Sequence, residues 1–366
     1  MEDDGSIRSV LRSVRRGLAL VVLRPWDAIR FRRWIGRRTR RLLGKEPAAG
    51  ALLPLGPATL RFCRPLTRPR FVPAAEAGHM RDDDVVLGVV VEAEARAYPW
   101  WILDDHHVAN DVVAGRPITV LLCEVCSSGL AYDPVVDGRV LTFGQRHLYN
   151  GTITLDDDQT GSVWYPVTAT AVAGELEGTT LRLLPLSQME WRVWRELHPD
   201  TLVLAAEHGS RTGHGSGHRI GSPRVGPNMR ESIAHWDERL PHNTLVMTVS
   251  SNGASRTYPL STLRDKDGVV NDELGGAPIV VLHHLAEGSF AALAFSRTAG
   301  GHTLTFRPGH RGPIDAETGS VWTYEGRAVE GPLAGTQLEF LPSHVSEWYI
   351  IGTAHPGIEI RGQRSG

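Results

Sequence analysis

Two cysteines three positions apart, in Cys123-Glu124-Val125-Cys126, are the residues of this sequence best suited to chemistry. That spacing around a tight turn brings two sulfurs to one point, where they hold a soft metal ion or form a reversible disulfide. The apolar run Ile118–Leu122 just before them reads as a buried strand that delivers the pair. Ser127-Ser128-Gly129 and then Leu130-Ala131-Tyr132 follow, which reads as loop and strand. A thioredoxin-type pair needs a helix there to lower the first thiol's pKa, so the pattern favours a knuckle-like turn. Two thiolates leave a zinc shell incomplete, whereas copper(I) accepts fewer and softer ligands. With no second CxxC in the chain, the missing ligands would be histidine or carboxylate. The cofactor expected is therefore copper or zinc, against the plainer reading of two cysteines buried in a core.

His106, in Asp104-Asp105-His106-His107, precedes the cysteine strand and is the expected third ligand or general base; His107 reads as structural. His147, just after the strand pattern Leu141–Phe143, is a further candidate ligand at the same end of the sheet. Arg146, Tyr149, Asn150 and Trp164 are the candidate substrate-binding residues, since they are polar or aromatic groups at loop positions nearby. The sequence has no Gly-rich phosphate loop, no HExxH and no GxSxG, so no nucleotide cofactor is expected.

The elements that must position these groups are organised by a repeat. Arg96-Ala97-Tyr98-Pro99 returns as Arg256-Thr257-Tyr258-Pro259, and Asn110-Asp111 as Asn271-Asp272. Leu141-Thr142-Phe143 returns as Leu304-Thr305-Phe306, and Thr160-Gly161-Ser162-Val163-Trp164 returns intact at 318–322. Leu184-Pro185, Trp191 and His198-Pro199 match Leu341-Pro342, Trp348 and His355-Pro356. Order is preserved throughout, which marks two copies of one unit. The second copy lacks the cysteines, carries His283-His284 near their position and has Asp267 in place of His106, so the first copy reads as site-bearing. A site shared between copies through His283 or His284 is a further candidate.

The predicted strands are short: Val85–Val91, Ile118–Leu122, Val140–Phe143 and Thr180–Leu184, with a hairpin turn at Asp137-Gly138. Helices are expected around Trp100–Ala109 and over Ser187–Leu197, the latter opened by a capping box of Ser187 and Glu190 and stopped at His198-Pro199. The fold class expected is α+β and β-rich, two similar halves from an internal duplication packed as a pseudo-symmetric pair, with a basic helical N-terminal arm. The divisions read as an arm over 1–48, a lead-in over 49–83, a first repeat over 84–205, a Gly/His-rich connector over 206–243, a second repeat over 244–360 and a tail over 361–366. The connector histidines, His208, His214, His218, His235 and His242, read as part of a linker.

Charge is divided unevenly. Residues 1–48 carry 12 Arg, one Lys and 5 acidic residues, a net of +8, while the whole chain has a formal net of −2, leaving −10 on the remainder. Apolar residues from Ile7 to Val22 recur at helical spacing among arginines, and Trp26 and Trp34 lie within a second basic stretch. This composition suits an anionic membrane surface; nucleic acid is disfavoured, and a solvated arm packed on the body is the plain alternative. No apolar run approaches the ~20 residues of a spanning helix, and three cysteines are too few for a disulfide framework. The reading is a cytoplasmic protein, peripheral at the inner face of the cell membrane through its arm.

Arg96-Ala97-Tyr98-Pro99, His106 with Asn110-Asp111, the Cys123–Cys126 turn leading to Ala131-Tyr132-Asp133, Tyr149-Asn150 and Thr160–Trp164 together resemble the bacterial and archaeal domain-of-unknown-function family 3179. The resemblance runs from about Phe71 to Ile360. Of the family's Trp-His-Glu element only His106 is kept, and its Cys-Pro-Leu-Cys-Gly turn is present as Cys123-Glu124-Val125-Cys126-Ser127, without the glycine. The resemblance implies a shared two-part fold and a site near the CxxC, and it brings no activity. The functional expectation is a metal-binding or thiol-redox protein, an oxidoreductase using Cys123, Cys126 and His106 on a small molecule. The alternative is a non-enzymatic, membrane-associated module that binds a small ligand or peptide, with a structural CxxC.

Overall fold

The structure is a computed structural model that describes residues 50–56, 60, 63–209, 230 and 232–362. The basic arm and the Gly/His stretch with His214 and His218 lie outside the described residues.

Three larger sheets and two small ones build the first half. Val85–Val91 and Glu94–Pro99 form a hairpin flanked by Ser187–Glu190 on one side and Leu202–Leu204 and Phe71–Pro73 on the other. A second sheet runs Arg182–Leu184, Ser128–Asp133, Arg116–Cys123, Val108–Val113, Leu66–Thr67. A third runs Phe143–Gly144, Leu155–Asp157, Val163–Tyr165, Thr170–Ala173. Residues 245–360 run through the same order. Leu245–Ser251 and Ala254–Pro259 pair between Ser343–Glu347 and Glu359–Ile360, and Val269–Leu274, Ala277–His283 and Ala292–Ser296 form the next sheet. Phe306–Arg307, Ile314–Asp315, Val321–Trp322 and Ala328–Glu330 form the last. The chain from Ala49 onward is one compact, β-rich unit.

The recurring sequence motifs are the joints of this scaffold. Asp111 accepts from Arg96 and from the Tyr98 hydroxyl, both at 2.6 Å, and so ties the first sheet to the second. Asp272 does the same with Arg256 and Tyr258, at 2.9 and 2.8 Å. The neighbouring Asn110 amide receives the Phe143 N–H and donates to its carbonyl, imitating a strand partner for the third sheet; Asn271 treats Phe306 alike. In the Thr-Gly-Ser-Val-Trp segment, buried Asp157 accepts from the Thr160 N–H and hydroxyl and from the Trp164 indole. Asp315 does so from Thr318 and Trp322. Ser162 and Ser320 lie against Gly174 and Gly331, where a Cβ would come within 2.5 and 2.7 Å of the serine Cα. That close approach, with φ of +99° and +89°, explains why glycine stands at both places.

Several predicted elements are placed as expected. Val85–Val91 is a strand, and Asp137-Gly138 turns a hairpin with φ of 49° and 74°, the positive pair a type I′ turn requires. Two helix expectations are corrected. The helix at Trp100 ends at Leu103, because His107 takes φ 59° and Val108–Val113 enters the second sheet. Ser187–Glu190 is a strand paired with Val85–Gly88, so Ser187 caps nothing; the helix is Trp191–Leu197, with Glu190 at its N-cap and no side-chain cap bond. The ladder claims the backbone that a capping box would have used. His198 does end that helix.

The halves interlock through their edge strands. Glu347 donates its N–H to the Cys126 carbonyl at 3.0 Å, and Glu190 donates its own to the Gly288 carbonyl at 2.8 Å. Each half thus closes over a turn of the other.

Asp157→Ala leaves the Trp164 indole N–H and the Thr160 N–H without their acceptor in a buried site, which is expected to destabilise the fold by about 2–4 kcal/mol. Asp315→Ala is expected to act to a similar extent. Urea unfolding followed by tryptophan fluorescence measures both, and a loss under about 1 kcal/mol would show that these carboxylates are dispensable joints.

Candidate functional site

The strand Arg116–Cys123 is buried from Ile118 onward and ends on Cys123, which pairs with Ser128 across the turn. Ser127 takes φ 50°, the left-handed conformation that glycine adopts most easily. Its hydroxyl donates to Glu347 Oε1 at 2.8 Å, a bond that glycine could not make. The turn puts both sulfurs in one polar niche. Thr152 donates to Cys123 Sγ at 3.2 Å, and Cys126 Sγ lies 3.0 Å from the Ser128 hydroxyl. All three cysteines are free thiols.

The two thiols are unequal. A hydrogen bond from Cys126 lowers the Cys123 pKa against the opposing effect of burial, and Thr152 assists. Burial, and then the bond it gives to Cys123, push Cys126 well up. Cys123 therefore ionises first and Cys126 keeps its proton. Glu347 is buried beside them, and burial raises its carboxyl from 4.5 to about 7, although Ser127 favours the charged form. Its Oε2, and the Oε1 of buried Gln188, have no hydrogen-bond partner among the described residues. The niche is walled by an apolar cluster of Tyr165, Val167 and the helix Trp348–Ala354 from the second half. Both sulfurs are buried, at 1% and 0% exposure, so the pair is not open to solvent in this state.

His106 does not join the thiols. Its ring nitrogens face the Arg64 carbonyl at 2.6 Å and the His208 carbonyl at 2.5 Å, so it cross-links chain segments. The histidine near the sulfurs is its neighbour. Burial opposes charge on His107, but Glu124, 3.3 Å from Nδ1 without hydrogen-bond geometry, outweighs it together with Cys63 and Cys123, and the pKa rises to about 9. His147 is held by buried Asp156 at 2.5 Å. Arg146 is half-exposed and paired with Asp158. Tyr149 packs edge-on against Tyr165 at 5.2 Å, which brings it to the wall of the dithiol niche. Asn150 is a turn residue with φ 48° whose side chain accepts from the Ala234 N–H. Trp164 is fully buried, with its indole N–H donated to Asp157. His283 stands at the end of the strand Ala277–His283, with Nδ1 2.8 Å from the Ala291 carbonyl within its own half.

Among the described residues no group of three or more His, Cys, Asp or Glu side chains is placed to hold a metal ion. Among the described residues the two thiols therefore lack the further ligands of a tetrahedral zinc shell. No described helix is long and apolar enough to cross a membrane.

Sequence reading missed Glu347, Thr152 and the pairing of Cys63 with His107. Only one signal pointed toward any of them: Glu347 precedes Trp348 as Glu190 precedes Trp191.

A β-rich scaffold closed around a buried dithiol defines the class. The sequence matches the family described as "Protein of unknown function (DUF3179)" over residues 65–357, and the chain belongs to that family. No curated protein and no solved structure matches it.

Between pH 4.5 and 7 the native protein holds a proton on Glu347 that the unfolded chain has released. Stability is therefore expected to fall as pH rises through that window, by up to about 3 kcal/mol. Glu347→Gln stays neutral and removes this component, so urea titrations across the window should show a flatter dependence for the variant. Equal slopes would mean that the carboxyl titrates normally.

Proposed function

We propose that the protein is a dithiol–disulfide oxidoreductase in which Cys123 is the attacking thiol, Cys126 the resolving thiol and Glu347 the proton acceptor. The observation that supports it most is the inequality of two adjacent thiols beside a buried carboxyl whose pKa is about 7. Thiol–disulfide exchange needs one thiolate and one retained proton, and a group near neutrality to take that proton. The Cys123 thiolate attacks a disulfide of a small-molecule or peptide partner and releases one partner thiolate. Cys126 passes its proton to Glu347 and attacks the Cys123 sulfur, expelling the second thiolate, which takes up the proton. The partner is reduced by two electrons, and the protein gains one disulfide. Because both sulfurs are buried, exchange runs from a state in which the 123–128 turn has lifted away from Ser343–Glu347.

Copper(I), which two thiolates alone can hold, is the second reading of the same pair. Zinc is less suited, for want of further ligands among the described residues. We also infer that the two halves descend from one duplicated unit, since the same Asp, Asn and Trp joints recur at matching positions, and that the basic arm of residues 1–48 lies on an anionic membrane surface. A non-enzymatic binding module is the rival to the redox reading.

Equilibration in glutathione buffers, followed by acid quench, alkylation and peptide mapping, tests the proposal. A Cys123–Cys126 disulfide is expected, absent in Cys123→Ser and Cys126→Ser, and forming about tenfold more slowly at pH 7 in Glu347→Gln. A folded protein that never forms this bond at any glutathione ratio overturns it, and stoichiometric copper lost in Cys123→Ser would favour the metal reading. In the native reduced protein, Cys63 is expected to react with a thiol reagent about a hundredfold faster than the buried pair. Flotation with phosphatidylserine vesicles, and not with neutral ones, is the expected behaviour of the arm; equal flotation with both, or none, counts against it.

A further inference from the structure

A cavity of about 470 Å³ opens where the end of the helix Trp191–Leu197 meets the second half. Its lining includes the buried apolar side chains Met189, Leu282, Ala291 and Leu293. Leu197 and Leu285, also in the lining, are 46% and 41% exposed, unusual for leucines of this fold. In the first half the comparable position is filled, because Cys126, Tyr165 and Val167 pack against the helix Trp348–Ala354.

Polar groups converge on this apolar space. His284 stands edge-on to Tyr324 at 5.0 Å, and its Nδ1 is buried with no hydrogen-bond partner among the described residues. Such an atom is costly to leave unmatched. The one carboxylate of the lining, Glu325, is already engaged by His198 at 2.9 Å. Arg311 and His310 lie at the exposed part, and Arg311 is paired with Glu330 outside the lining. Burial lowers the pKa of His284, so it meets a head group as a neutral ring, and Arg311 supplies the positive charge; with the one carboxylate of the lining already partnered, an anionic head group is favoured.

We propose that this cavity binds a small amphipathic carboxylate, its apolar body among Met189, Leu282 and Leu293 and its acid group between His284 and Arg311. A body of roughly ten to twenty non-hydrogen atoms suits a site of this volume. The inference is independent of the dithiol reading, since it uses none of the thiols.

Isothermal titration calorimetry of the full chain with phenylbutyrate, phenylbutanol and phenylbutylamine tests it. Phenylbutyrate is expected to bind saturably and about tenfold tighter than the alcohol, with the amine weakest. Arg311→Glu and the rim variant Leu285→Glu are expected to weaken the acid about fivefold or more while leaving the alcohol within about twofold. His284→Phe removes the unpartnered nitrogen and is expected to weaken the acid similarly; circular dichroism checks that it is folded, and the two rim variants carry the test if it is not. No saturable binding of any probe, binding of the alcohol or amine as tight as the acid, or rim variants without effect overturns the proposal.

Discussion

The hydrogen bond from the Glu347 N–H to the Cys126 carbonyl is the contact on which the site depends. It belongs to an edge strand of one half and a turn of the other, so the dithiol niche exists only when both halves are in place. The same strand sets the Glu347 carboxyl against Ser127, and burial there raises its pKa. Backbone pairing thus decides the electrostatics of the thiols. An edge strand left bare would present unpaired backbone groups to solvent or to other chains; here that edge is put to use in closing the partner half.

The residues that make the chain recognisable are mostly joints. Asp111, Asn110, Asp157 and their counterparts Asp272, Asn271 and Asp315 each gather several donors in the interior. Buried carboxylates and amides must be fully hydrogen-bonded, which ties their neighbours to particular residue types at particular spacings. This is why Arg-x-Tyr-Pro, Asn-Asp and Thr-Gly-Ser-Val-Trp stand out in the sequence.

The halves differ where those joints end. The first fills the space beneath the helix Trp348–Ala354 with Cys126 and aromatic side chains. The second ends its strand in His283-His284 and leaves a cavity lined in part by histidine. One scaffold thereby carries a sealed dithiol at one end and an open pocket lined in part by histidine and arginine at the other.

The strand Val85–Val91, the hairpin at Asp137-Gly138 and the placing of Cys123 at the end of a buried strand were legible in the residues, because alternation, turn chemistry and apolar runs are local signals. The helix boundaries at Leu103 and Glu190 were not, since strand pairing across distant segments claimed the backbone that local capping rules would have spent otherwise. Nor was the choice between His106 and His107: adjacent residues look alike in sequence, and a left-handed turn at His107 sends one ring to two backbone carbonyls and the other toward the thiols. Sequence by itself determined the kinds of residue that could react and the recurring motifs that join the β-rich scaffold. Tertiary structure alone decided that a glutamate 221 positions beyond Cys126 (347 − 126) would stand beside it, because only the packing of one half on the other brings those backbones within a hydrogen bond.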